Sequence, residues 1–234
     1  MEPSRRELIE RSLALWDPFP VDTRPRPIVL SGVAVWSSGG GFDSMEAKEA
    51  FSAGMVEAAV DLEPGLLERL TEHAGAANMA GLSPLRVVKV SPAQRRFMTD
   101  RGMRRLPAWD LELTHTQGVF TALSTTFETW WPPAWDSTTF HETQHPQSYV
   151  DTTCQQLSYS FFSGSRRYST YRAGEVLETD CALHVTVNRE WNEPRPKAMT
   201  LDGTTSNVEV TLDRPLGARV LIDHLGNPLP VVTR

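Results

Sequence analysis

"WDLELTHT", residues 109–116, decides how this chain folds. Trp109, Leu111 and Leu113 alternate with Asp110, Glu112 and Thr114, so a strand here has one apolar face and one polar face. A helix would need apolar repeats at three and four. The same period of two returns in "QLSYSFF" (156–162), "ALHVTV" (182–187) and "NVEVTL" (207–212). These read as half-buried antiparallel strands with one wet face. Between them, "EPRPKAMTLDG" (193–203) and "DHLGNPLP" (223–230) carry the Pro and Gly of loops and hairpin connections.

Upstream the pattern is different. Ser4 followed by Glu7 makes a capping box, and Leu8, Leu13, Leu15 and Trp16 predict a helix that Asp17-Pro18 ends. "RPRPIVLSGVAVW" (24–36) is rich in β-branched residues and reads as a strand. Asp43 and Glu46 form a second capping box, predicting a helix from about 45 to 60. A third helix starts at Pro64, runs through Leu66, Leu67 and Leu70, and stops near Gly75. The expected class is α+β: a helix-and-strand part over residues 1–84, then a largely antiparallel β-sandwich or barrel-like body over 85–234. The two form one compact unit or two closely packed lobes.

With 234 residues, 40% of them hydrophobic and 22% charged, the chain is long enough for a substantial core. Its 29 acidic against 23 basic residues would repel a phosphate backbone, and no Lys/Arg run interleaves with aromatics, so nucleic acid is not an expected partner. The longest mainly apolar stretch, "IVLSGVAVW", is about half a bilayer span. No membrane span is expected. The first twenty residues carry charge where a signal peptide needs an unbroken apolar segment, so the expected location is the cytoplasm. Cys154 and Cys181 are too few for a disulfide scaffold and leave room for at most one bridge.

Residues 141–145 read HETQH and match H-E-x-x-H, with Asp151 where a third ligand stands in extended zinc-protease patterns. In that chemistry His141, His145 and Asp151 hold zinc and Glu142 is the general base. The motif needs a helix, and Pro146 follows His145 directly; a proline there clashes with the carbonyl of Glu142 and costs roughly 3 kcal/mol. The flanking "DSTTF" is built of poor helix formers, and Ser148 replaces the motif glycine. A polar loop joining two β-segments is the expected outcome, with no cofactor and with zinc hydrolysis as the alternative.

"FETWWPPAWDS" (127–137) gathers Trp130, Trp131 and Trp135 beside two prolines. Aromatics in such loops stack on sugars or peptides and anchor partner proteins. At least one of Trp130 and Trp131 is expected in the core, leaving Trp135 as the exposed candidate. A basic and aromatic patch, Arg166, Arg167 and Tyr168, with Tyr171 and Arg172 beyond it, suits an anionic ligand or an acidic partner. "SSGGGF" lacks the residues of a phosphate loop and reads as a turn, and no G-x-S-x-G elbow is present.

Four phrases, "GFDSMEAKEAFSAG" (41–54), "FMTDRGMRRLPAW" (97–109), "YRAGEVLETDCALHVTV" (171–187) and "VEVTLDRPLGARVLIDHLGNPLPV" (208–231), resemble a group of uncharacterised actinobacterial proteins, many of them exported or lipoprotein-like. The resemblance is one of turns and strands and implies a shared fold. HETQH falls between the matching blocks.

The expected function is therefore a non-enzymatic binding or interaction protein that meets a protein, small-molecule or carbohydrate partner through Trp130, Trp131 and Trp135 and the Arg166 patch. The alternatives are the zinc-dependent hydrolase on HETQH and a structural subunit of a larger assembly.

Overall fold

The computed structural model describes residues 4–71, 81–126, 129–130, 132, 146–151, 153–164, 168–192 and 204–234. The alternating stretch lies in β4 (Gly102–Leu113), which forms a long antiparallel hairpin with β3 (Leu85–Thr99). Asp100 and Arg101 connect the two. Gly102 follows at φ +80°, a left-handed conformation that a glycine adopts freely, and a Cβ there would meet Val232 Cγ1 at 2.5 Å. β5 (Val119–Leu123) pairs with β4, β1 (Val35–Ser38) with β5, and β2 (Val56–Ala58) with β3. The sheet runs β1-β5-β4-β3-β2. Both of its edge strands come from the first 84 residues and pair with strands that follow residue 84.

The capping box of α1 (Arg5–Ala14) forms as expected: the Glu7 N–H donates to Ser4 Oγ at 3.2 Å, and the Ser4 N–H donates to the Glu7 carboxylate at 2.6 Å. The second helix departs from expectation at both ends. α2 (Met45–Ser52) is capped by Ser44, not Asp43, with Ser44 Oγ accepting from the Ala47 N–H. It stops well short of residue 60 because Gly54, at φ +72°, closes it: Gly54 N–H donates to Phe51 O and Met55 N–H to Ala50 O, the two bonds of a Schellman motif. The chain then enters β2. α3 (Leu66–Thr71) starts two residues after Pro64; Gly75 lies outside the described residues. The stretch 24–36 is not the expected single strand. Ile28 and Leu30 make isolated bridges and only Val35 onward pairs continuously, since Pro25 and Pro27 have no N–H to give a ladder.

Two further sheets complete the β-rich body. One is ordered β10 (Thr204–Thr211), β7 (Gln156–Ser163), β6 (Ser148–Val150), β12 (Val231–Thr233); the other β11 (Val220–Ile222), β9 (Ala182–Trp191), β8 (Ser169–Glu178). The fold is α+β, as expected, with mixed sheets: the β2/β3, β6/β12 and β9/β11 pairings are parallel. Leu157 and Tyr159 of β7 and Val208 and Val210 of β10 pack with Leu183 and Val185 of β9 and Leu221 of β11. Ile9 and Leu13 of α1, with Trp16, cover the opposite face through Ala182, Val220 and Ile222.

The five-stranded sheet is covered differently at its two ends. Leu111 and Leu113 of β4, with Val87 and Phe120, lie under Ala50, Leu66 and Leu70 of the helices. Leu106 and Ala108, on the opposite face by strand parity, pack with Phe97, Leu123, Leu30 and Ala34. Far from the helices, Gln94, Arg96, Met103 and Arg105 on the helix-side face of the hairpin are exposed, and Met98 and Pro107 are half-buried.

Candidate functional site

Trp130 is half-buried, and its ring lies 5.1 Å from that of Trp16 and 4.9 Å from that of Phe19, edge-on to the latter. The Trp130 N–H donates to Ile28 O at 2.9 Å, which ties it to the proline-rich 25–28 segment. The Trp16 indole N–H donates to Gly226 O at 2.9 Å, so this aromatic trio is anchored in the buried core. Trp130 is thus partly buried against the core cluster without belonging to its buried residues, and Trp131 lies outside the described residues.

Beside this trio opens a cleft of about 880 Å³, walled by Pro20, Pro25, Pro27, Ile28 and the exposed side of Trp130. Two guanidinium groups flank it. Arg26 is committed: it donates to both oxygens of the buried Asp100 carboxylate, at 2.5 and 3.3 Å, and through Nε to Ala218 O at 2.8 Å, and its Cζ lies 4.9 Å over the Phe19 ring. Arg104 is exposed and has no ion pair or hydrogen bond among the described residues. Among the described residues the cleft thus offers apolar and aromatic walls with one positive charge, Arg104, that has no counter-ion. That combination is chemically suited to a flat or aliphatic body bearing an anionic group.

The other residues named from sequence fall elsewhere. His141, Glu142, His145, Trp131, Trp135, Arg166 and Arg167 lie outside the described residues. Asp151 sits in the turn between β6 and β7. Its carboxylate accepts from Thr153 Oγ1 at 2.8 Å and from the N–H groups of Gln155 and Gln156 at 3.0 and 3.3 Å. Burial opposes its ionisation, but these bonds outweigh burial and lower its pKa. Tyr168 is in the turn before β8, where its carbonyl accepts from the Asn192 N–H. Tyr171 packs edge-on to Phe161, and Arg172 pairs with Glu190 at 3.4 Å. Trp130, Asp151 and Tyr168 therefore stand on three separate elements. Cys154 and Cys181 are free thiols.

Arg26 and Arg104 were missed from sequence because each is marked only by its three-dimensional neighbours. The nearest signal was "RPRP", whose prolines prevent a ladder and leave the segment free to wall a cleft.

No protein-family model, curated protein or solved structure matches this chain.

Proposed function

We propose that the protein is a binding protein that holds its partner in the cleft beside Trp130. The observation that supports this reading is the juxtaposition of the half-buried Trp130 and three prolines with the exposed guanidinium of Arg104, which has no ion pair among the described residues. Rigid rings and prolines lose little conformational freedom on binding, and the guanidinium adds orientation through a carboxylate or other anion. The partner class is a protein side chain or a small molecule that presents an apolar ring and a negative charge together.

The test is titration of 15N-labelled protein with 2-naphthoate and with its neutral counterpart 2-naphthalenemethanol. Amide shifts should concentrate at Ile28, Thr126 and Trp130, and Arg104→Gln should weaken naphthoate while sparing the alcohol. Shifts scattered away from the cleft, or none, would overturn the proposal. The hydrolase alternative is tested on the same sample by metal analysis: stoichiometric zinc, lost in the paired His141→Ala and His145→Ala variant, would replace the binding reading with metal-dependent hydrolysis.

A further inference from the structure

From Leu85 to Leu113 the hairpin carries seven basic side chains against three acidic ones, in a chain whose net charge is −6. Four of the seven have carboxylate partners: Arg86 with Glu57, Lys89 with Glu112, Arg95 with Asp110, and Arg101 with Asp100. The three left without one among the described residues are Arg96, Arg104 and Arg105. Arg104 faces the cleft. Arg96 and Arg105 are directly opposite one another across β3 and β4, both exposed.

Opposed like charges on one sheet face destabilise it. Here they flank an open concavity of about 660 Å³ together with Gln94, Met103, the latter 52% exposed, and Arg95, whose guanidinium is paired with Asp110. By parity and register Met98 and Pro107 share that face. It is the same face that α2 and α3 cover further along the sheet. A bare continuation of a covered face, built of Arg and Met, has the composition of a protein interface.

We infer that this uncovered end of the hairpin docks an acidic polypeptide segment in which carboxylates are interspersed with apolar side chains. Carboxylates would relieve the Arg96/Arg105 repulsion through charge-assisted hydrogen bonds, and the apolar side chains would cover Met98 and Met103. The remainder of the chain is more acidic than the whole. With a Debye length of about 8 Å, the repulsion this causes is felt only by parts of a ligand that come close to acidic residues, so a short segment confined to the basic patch escapes it and an extended polyanion does not. The inference is independent of the Trp130 cleft.

The experiment is fluorescence anisotropy of the full chain with a fluorescein-labelled ten-residue peptide, Glu-Leu-Ser repeated three times and closed by Glu. Saturable binding below about 1 mM is expected, at least roughly tenfold weaker in R96Q/R105Q, with K48Q, which removes an exposed cation on α2, binding like the wild type. A peptide with Gln in place of Glu should not bind. The double variant removes a repulsion and no hydrogen bond among the described residues, so it stays folded, which its thermal melt checks. Absence of peptide binding, or equal binding by R96Q/R105Q, overturns the inference. So does tighter binding of a twelve-nucleotide oligothymidylate or of phosphatidylserine vesicles, which would assign the patch to a polyanion or a membrane surface.

Discussion

The indole N–H of Trp109 donates to the carboxylate of Glu63, joining the middle of β4 to the residues that lead into α3. The same carboxylate accepts from Ser124 Oγ at 2.9 Å, from Thr125 Oγ1, and from the Thr126 N–H at 2.8 Å. One side chain therefore ties the helix approach, the sheet and the loop after β5 together. Trp109, which belongs to the deciding alternation, is held on the helix side of the sheet by this bond as well as by packing.

Glu63→Gln should cost about 1.5–3 kcal/mol, since it replaces hydrogen bonds to a charged acceptor by weaker ones. Burial opposes ionisation of Glu63, yet the bonds from Thr125, Trp109, Ser124 and Thr126 prevail and bring its pKa down to about 2. A lowered carboxylate pKa stabilises the fold above the ordinary value of 4.5, and that stabilisation is lost as pH falls toward 2. Urea unfolding of wild type and variant between pH 7 and 2 checks this: the difference should be full at neutral pH and shrink below about 4.5.

His184 gives a second pH dependence, at higher pH. It is buried under α1, its Nδ1 is 3.1 Å from Ile222 O, and its Nε2 has no partner among the described residues. Burial disfavours the imidazolium and lowers its pKa, against the Ile222 carbonyl and Asp223. The unfolded chain then binds a proton that the folded one refuses, so stability declines as pH falls below about 6.5. His184→Leu should flatten the stability profile immediately below that pH and leave the Glu63 limb in place.

Glu178 and Arg219 form an ion pair with side chains 9% and 5% exposed, and Arg219 also donates to the Arg214 and Pro215 carbonyls. Glu178→Ala should destabilise by about 3–5 kcal/mol, because it leaves a buried guanidinium without its counter-charge. Replacing the pair with Leu at 178 and Met at 219 should cost much less than that single change. A double-mutant cycle by chemical denaturation measures the difference.

Arg96→Thr should stabilise the fold by on the order of 0.5 kcal/mol, because it removes the repulsion with Arg105 and places a good strand former on the exposed face. The gain should be largest in low salt and fade as ionic strength rises. Thermal melts at two salt concentrations check it, with no ligand present.

The period of two was legible residue by residue, and so were the first capping box and the change of pattern at residue 85. Each depends on neighbours within a few positions. The end of α2 was also written locally, in Gly54, but alanines continuing at helical spacing beyond it masked the stop. Of the candidate site, Trp130 was visible because tryptophan beside prolines is conspicuous. The opposition of Arg96 and Arg105 was within reach too: folding "QRRFMTDRGMRR" (94–105) about Asp100-Arg101 places them face to face.

By itself, then, the sequence determined a β-rich α+β chain with alternating strands and three short helices, because burial of alternate side chains needs only local order. The tertiary structure decided what local order cannot: which strands pair in parallel across long separations, and which face of the hairpin is covered at each end. It decided likewise that Asp100 claims Arg26 while Arg104 has no counter-ion among the described residues. Charge pairing and cleft walls are set by residues far apart in the chain, and only the folded backbone brings them within hydrogen-bonding distance.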